Sequence, residues 1–364
     1  MSLAADDLLA LATAMVDIPS ASHEEERFVD ALQGELDKVP WLEVDRVGCN
    51  LVARTHLGRP HRLILAGHTD TVPAQGNGRA RLDGDCLWGL GACDMKGALA
   101  VFLRLARRLS QPLLDVTYVF YAREEVADIY SGLEELFRAR PELLVGDAAI
   151  LGEPTAVMVE AGCQGTLRLK LTLRGQRAHT ARPWMGRNAI HRLGAVLSEV
   201  AAFEPRRPVV AGLQFREALQ AVSVDGGVAG NVVPDEARLV LNVRFAPDRD
   251  GAEAAEQVRK LLEPYLEADD QLELVDRAEG AYPAVAHPLL SPLVERFGLA
   301  VNPKLGWTDV ARFAQRGVPA VNFGPGDPTL AHSADEHVLR TDLLRVYEVL
   351  EKLLMEPVRA DAAP

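Results

Sequence analysis

The feature that most narrows the fold of this chain is an alternation, in its first third, of short apolar runs with longer helical stretches. Residues 62–66 (RLILA), 116–122 (VTYVFYA) and 147–151 (DAAIL) are short and apolar, the middle one rich in β-branched and aromatic side chains. They read as buried strands. Between the first two lies 96–109 (KGALAVFLRLARRL), apolar on most sides and so expected to be a buried helix. Residues 4–15 read as an amphipathic helix, and Ser22 with Glu25 fits a capping box opening a second helix to about Leu36. Parallel strands need helical crossovers, and the crossovers cover both faces of the sheet. The pattern therefore predicts an α/β fold, a mostly parallel mixed sheet sandwiched by helices.

Near Gly165 the pattern changes. Residues 166–173 (TLRLKLTL) alternate apolar and polar, as in a half-exposed strand. A helix at about 188–202, strands near 219–224 and 237–245, a helix at about 251–266 and a strand near 271–276 follow. This β-α-β-β-α-β order predicts a ferredoxin-like α+β unit inserted at 167–278. The first domain then resumes, with a strand at 318–323 and a closing helix at 341–354 capped by Thr341. The expected catalytic domain is discontinuous, 1–166 with 279–364. Two domains suit 364 residues, at a rough 150 per domain.

The formal net charge of −13 argues against a nucleic-acid partner, which needs a basic surface. An anionic substrate would need a local cluster of arginines to overcome that field. The four cysteines form no CxxC pair, so a structural zinc ribbon is not expected. The first 15 residues hold two acids and no basic stretch, unlike a secretory signal. No apolar run reaches the ~18 residues of a membrane span. A cytoplasmic protein without a membrane partner is the expectation.

Acidic and imidazole residues gather just past the carboxyl ends of the expected strands, where open α/β sheets place their chemistry. His68 and Asp70 follow the first strand (AGHTD), Glu124 and Glu125 follow VFYA, and Glu153 follows AILGE. Asp94 opens the buried helix in GLGACDMKG, and His332 follows a glycine-rich turn. Five of these could ligate metal: His68, Asp94, Glu125, Glu153 and His332. Mixed nitrogen and oxygen ligation suits zinc, with cobalt or manganese as substitutes. Asp94, central in chain order, is the natural bridge between two ions. Asp70, two residues from His68, is better placed to orient that imidazole than to ligate. In extended chain Glu124 and Glu125 point oppositely, which would leave Glu124 free as general base. Each motif alone is weak, and the run 23–26 (HEEE) is assigned to helix capping. Seven such positions in one predicted sheet carry more weight than any one.

GHTDTVP, GLGACDMKG, REE, GEP and AHSADEHV together resemble the co-catalytic two-zinc aminoacylase and carboxypeptidase family, over nearly the whole chain. The stretch 160–192 most resembles its actinobacterial desuccinylase branch. That resemblance implies hydrolysis of N-succinyl-LL-2,6-diaminopimelate to succinate and the free diamino acid, in lysine biosynthesis. The sister activities are deacetylation of acetylornithine and metallo-carboxypeptidase or dipeptidase cleavage. It implies two zinc ions per subunit, with cobalt able to fill one site: His68 and Glu153 on one, Glu125 and His332 on the other, Asp94 bridging. It implies a homodimer formed through the inserted domain, in which His179 reaches the partner subunit's site and stabilises an oxyanion. Asn231, Arg244 and Thr308 match substrate-binding positions, and a cis Asp94–Met95 peptide is also implied. One departure stands out. Gln164 is neutral where many desuccinylases carry a basic residue nearby, and Arg168, Arg174 and Arg182 are the candidates to replace its charge.

Overall fold

Arg62–His68 is a strand with six of its seven residues buried, the burial its uninterrupted apolar sequence demands. In the computed structural model, which describes residues 3–356, it lies inside an eight-stranded sheet. It pairs in parallel with Asp115–Tyr121 on one side and Ala148–Leu151 on the other. Ala320–Asn322 continues the parallel core beside Ala148–Leu151. Antiparallel strands flank that core, with Asn50–Arg54 beside Asp115–Tyr121 and Val159–Ala161 beside Ala320–Asn322.

The helix Gly97–Arg108 buries nine of its twelve residues. Two glycines let it approach the strand ends. A Cβ on Gly67 would meet the Met95 Cε at 2.5 Å and Leu99 Cδ2 at 2.7 Å, and one on Gly152 would meet the Ala98 Cβ at 2.6 Å. Each glycine stands directly before a candidate ligand, His68 and Glu153. Larger residues there would push the helix, and Asp94 at its start, away from the strand ends.

Three local expectations are corrected. The first helix is Leu8–Val16, because the Asp7 side chain caps the Ala10 N–H at 2.9 Å. The second is Glu26–Leu36, and Glu25 at its N-cap makes no side-chain cap bond. Ser22 caps nothing; its hydroxyl donates to Asp70 Oδ2 at 2.7 Å. Thr341 lies inside the closing helix Arg340–Met355, whose N-cap position is Leu339.

The chain divides into two compact units: 3–161 with Ala284–Asn302 and 312–356, and Gly162–Pro283 with Pro303–Ala311. The second unit holds an antiparallel sheet in the order Ala218–Gly226, Glu236–Phe245, Gly165–Arg174, Gln271–Ala278. Leu167, Leu169, Leu171 and Leu173 alternate onto one face and pack with Leu239, Leu241, Val196 of helix Ala189–Ala202 and Val258 of helix Gly251–Leu262. Asp250 and Glu253 form a reciprocal capping box on the latter helix. A short hairpin, Val209–Val210 with Leu213–Gln214, was not foreseen. Thr308 falls in this second unit, although the sequence division places it after the insert. No helix among the described residues is long and apolar enough to cross a membrane.

Candidate active site

His68 ends its strand, and its ring is 1% exposed. Its Nδ1 faces the main-chain oxygen of Asp70 at 3.0 Å. A carbonyl only accepts, so Nδ1 carries a proton, and Nε2 is the nitrogen a metal would engage once its own proton leaves. That Nε2 lies 3.0 Å from Asp94 Oδ1. The other oxygen of the same carboxylate, Asp94 Oδ2, lies 3.4 Å from His332 Nε2, which is also 2.7 Å from Glu125 Oε1. Asp94 thus turns one oxygen to each histidine.

Two groups of possible ligands share Asp94. One is His68, Asp94 and Glu153; the other is Asp94, Glu125 and His332, and in each the ligand atoms lie within 4.8 Å of one another. That limit is little more than twice a zinc–ligand bond of about 2.0–2.2 Å, so small side-chain adjustments would let one ion engage each group. The donor set, imidazole nitrogen with carboxylate oxygen, fits a divalent ion of the zinc type. A buried concentration of carboxylates also calls for cations.

Asp70 is fully buried and holds the centre together. Its carboxylate accepts from the Glu124 N–H at 3.0 Å, the Glu125 N–H at 3.1 Å and the Ser22 hydroxyl, and lies 3.6 Å from His68 Nδ1. Burial acts to raise its pKa, but His68, the Glu124 N–H and Ser22 outweigh that and hold it below the usual carboxylate range. The Glu124–Glu125 segment is not extended. Arg123 before it takes φ 60°, and both carboxylates fall within 4.8 Å of His68 and of each other. The opposed orientation argued for an extended chain is therefore not observed, because the bend and the shared Asp70 oxygens turn both residues to one side.

The Asp94–Met95 peptide is cis. Sequence reasoning missed the residue that fixes this turn, Glu336. It is 1% exposed, and its Oε1 accepts from the N–H groups of Cys93 and Asp94, both at 3.1 Å. Its main-chain oxygen accepts from Gly89 at 3.0 Å. Glu336 follows His332 by four residues and so ties the turn bearing Asp94 to the segment bearing His332. Its signal was in the AHSADEHV motif, where only the histidine was weighed.

His179, Asn231, Arg244 and Thr308 belong to the second unit. His179 is exposed, with Nδ1 accepting from the Ala181 N–H at 3.0 Å. Asn231 lies nearby, its main-chain oxygen accepting from Thr180. Arg244 is half-buried, and Thr308 is buried beside Cys163. Gln164 is buried, and its amide donates to the Arg216 main-chain oxygen at 2.7 Å.

Residues 64–356 match the model of peptidase family M20/M25/M40. The chain belongs to that family. This M20 chain is 49% identical over 348 residues to a Mycobacterium tuberculosis protein provisionally named a succinyl-diaminopimelate desuccinylase, covering 94% of this chain and 98% of the relative. It is 42% identical over 358 residues to the succinyl-diaminopimelate desuccinylase of Corynebacterium glutamicum, covering 96% of each. A tripeptidase from Staphylococcus aureus shares the fold at a TM-score of 0.79 and 20% identity, over 96% of this chain and 97% of that one. The M20 chain is a metal-dependent hydrolase, and the cluster around Asp94 is where its described residues could hold the metal.

The electrostatics of this M20 centre set a pH dependence. Without metal, hydrogen bonds that the His332 ring donates to Asp94 and then to Glu125 push its pKa up to about 10. Burial opposes charge on His68, but Asp70 and Asp94 outweigh it and hold its pKa well above the usual value. Both folded pKa values are raised, so the stability these imidazolium ions give the metal-free protein is complete below about pH 6.5 and is lost as pH rises through the folded values. A metal must displace those protons to bind. The apparent zinc affinity should therefore climb between pH 6.5 and 9, as measured by competitive titration with a chelating indicator. A flat profile over that range would remove both histidines from the ligand set.

Proposed function

We propose that this chain is a two-zinc amidohydrolase that converts N-succinyl-LL-2,6-diaminopimelate to succinate and LL-2,6-diaminopimelate, working as a cytoplasmic homodimer. The observation that carries the reading is the pair of ligand groups joined by Asp94. The names of relatives at 49% and 42% identity support the substrate. In this reading His68 and Glu153 hold one ion, Glu125 and His332 the other, and Asp94 both. When bound, the ions supply Lewis acidity toward water and the amide carbonyl.

Glu124 takes the proton of the attacking water and passes it to the leaving amine nitrogen, acting first as base and then as acid. Asp70 keeps the Glu124 main chain and the His68 ring in place. His179, contributed by the partner subunit through the inserted 167–278 domain, steadies the developing oxyanion. Asn231, Arg244 and Thr308 hold the substrate, with the Arg244 guanidinium suited to a carboxylate.

A substrate panel tests the reading. Zinc-loaded enzyme is expected to hydrolyse N-succinyl-LL-2,6-diaminopimelate with a higher kcat/KM than N-acetylornithine or dipeptides. A higher value for either of those would reassign the chain to a sister activity, and no hydrolysis of any of them would end the amidohydrolase reading.

A further inference from the structure

An N-succinyl group differs from an N-acetyl group by a terminal carboxylate, and holding that anion out of water requires a cation. Gln164 cannot supply it, being neutral, buried and engaged with the Arg216 main chain. Of the three arginines near it in sequence, Arg174 stands at the far end of its strand, cross-strand from Glu236 and ion-paired with it. Arg182 lies in the tight turn that follows His179. Arg168 is different. It lies on the face of the second unit's sheet turned away from the helices, opposite Asn242, while Arg244 lies opposite Thr166. Cross-strand pairing makes Arg168 and Arg244 diagonal neighbours, within reach of long side chains.

The charges on this face do not balance around that pair. Lys170 has Glu273, and Arg238 has Glu236 and Asp225. Arg244, half-buried, has no carboxylate partner among the described residues, and burial first and Arg168 second hold its pKa below the usual arginine value. Arg168 has Asp276 at 3.5 Å between two exposed side chains, a surface pairing of little strength like that of Lys170 with Glu273, so what sets it apart is its place beside the unpaired Arg244. Two adjacent guanidinium groups so weakly neutralised form a site for an added anion, and the planar fork of arginine suits a carboxylate.

We propose that Arg168, beside Arg244, binds the terminal carboxylate of a dicarboxylic acyl group and so selects N-succinyl over N-acetyl substrates. The inference rests on the desuccinylase reading for its substrate and on the sheet register for its residues. The test compares wild type, Arg168→Gln and Arg168→Lys, all zinc-loaded and full length, on N-succinyl-LL-2,6-diaminopimelate and N-acetylornithine. Arg168→Gln should raise KM for the succinyl substrate by about tenfold or more and change the acetyl substrate by less than about twofold, with part of the loss recovered in Arg168→Lys. Calorimetric titration with succinate and with acetate should show the same selective weakening. An unchanged succinyl KM in Arg168→Gln, or an equal rise for both substrates, would overturn the assignment while leaving the desuccinylase reading intact. A wild type inert toward the succinyl substrate, whose succinate binding still weakens in Arg168→Gln, would sink that reading and keep the anion site.

Discussion

Glu124→Gln is expected to lower kcat for the succinyl substrate on the order of 10³-fold while both metals stay bound. The carboxamide matches the carboxylate in size but cannot take a proton from water. The Glu124 main-chain N–H still reaches Asp70, so the bend is retained, and Glu125, Asp94 and His332 are untouched. Steady-state kinetics beside metal content by elemental analysis checks this. The metal measurement matters because Glu124 also lies within 4.8 Å of His68 and Glu125, a third possible ligand group. A variant that loses metal along with activity would make Glu124 a ligand, and one that keeps its activity would move the base elsewhere.

Much of this centre was legible in the sequence because each candidate ligand follows a short apolar run or opens a buried helix. A parallel sheet with helices on both faces puts all those points at one edge, so five candidate ligand positions could be proposed from periodicity and chemistry. The alternating leucines of Gly165–Arg174 announced the second unit in the same way. What could not be read were bonds between distant segments. Ser22 reaches Asp70 across 48 residues, and Glu336 reaches Asp94 across 242. Local motifs misled at the same places. Ser22 before Glu25 imitates a capping box, and Thr341 imitates an N-cap, but tertiary contacts and a later or earlier helix start override both. The Glu124–Glu125 geometry failed for a backbone reason, since nothing in REE announces a positive φ at Arg123.

Asp70→Ala should do more than weaken metal binding. Removing the carboxylate deprives the Ser22 hydroxyl and the Glu124 and Glu125 N–H groups of their acceptor, and leaves the Nδ1 side of the His68 ring held by a main-chain oxygen alone. Loss of a partner that orients a ligand commonly costs about 10–100-fold in metal affinity, and that range is expected here. The distinguishing measurement is kcat at saturating zinc. The carboxylate also anchors the backbone of Glu124, the proposed base, and a displacement of about 1 Å at a reacting group can cost on the order of 10² in rate. Metal excess should therefore restore occupancy but leave kcat depressed at least tenfold. If saturating zinc returns kcat to the wild-type value, Asp70 serves His68 only, and the two hydrogen bonds to the Glu124–Glu125 main chain have no part in placing the base.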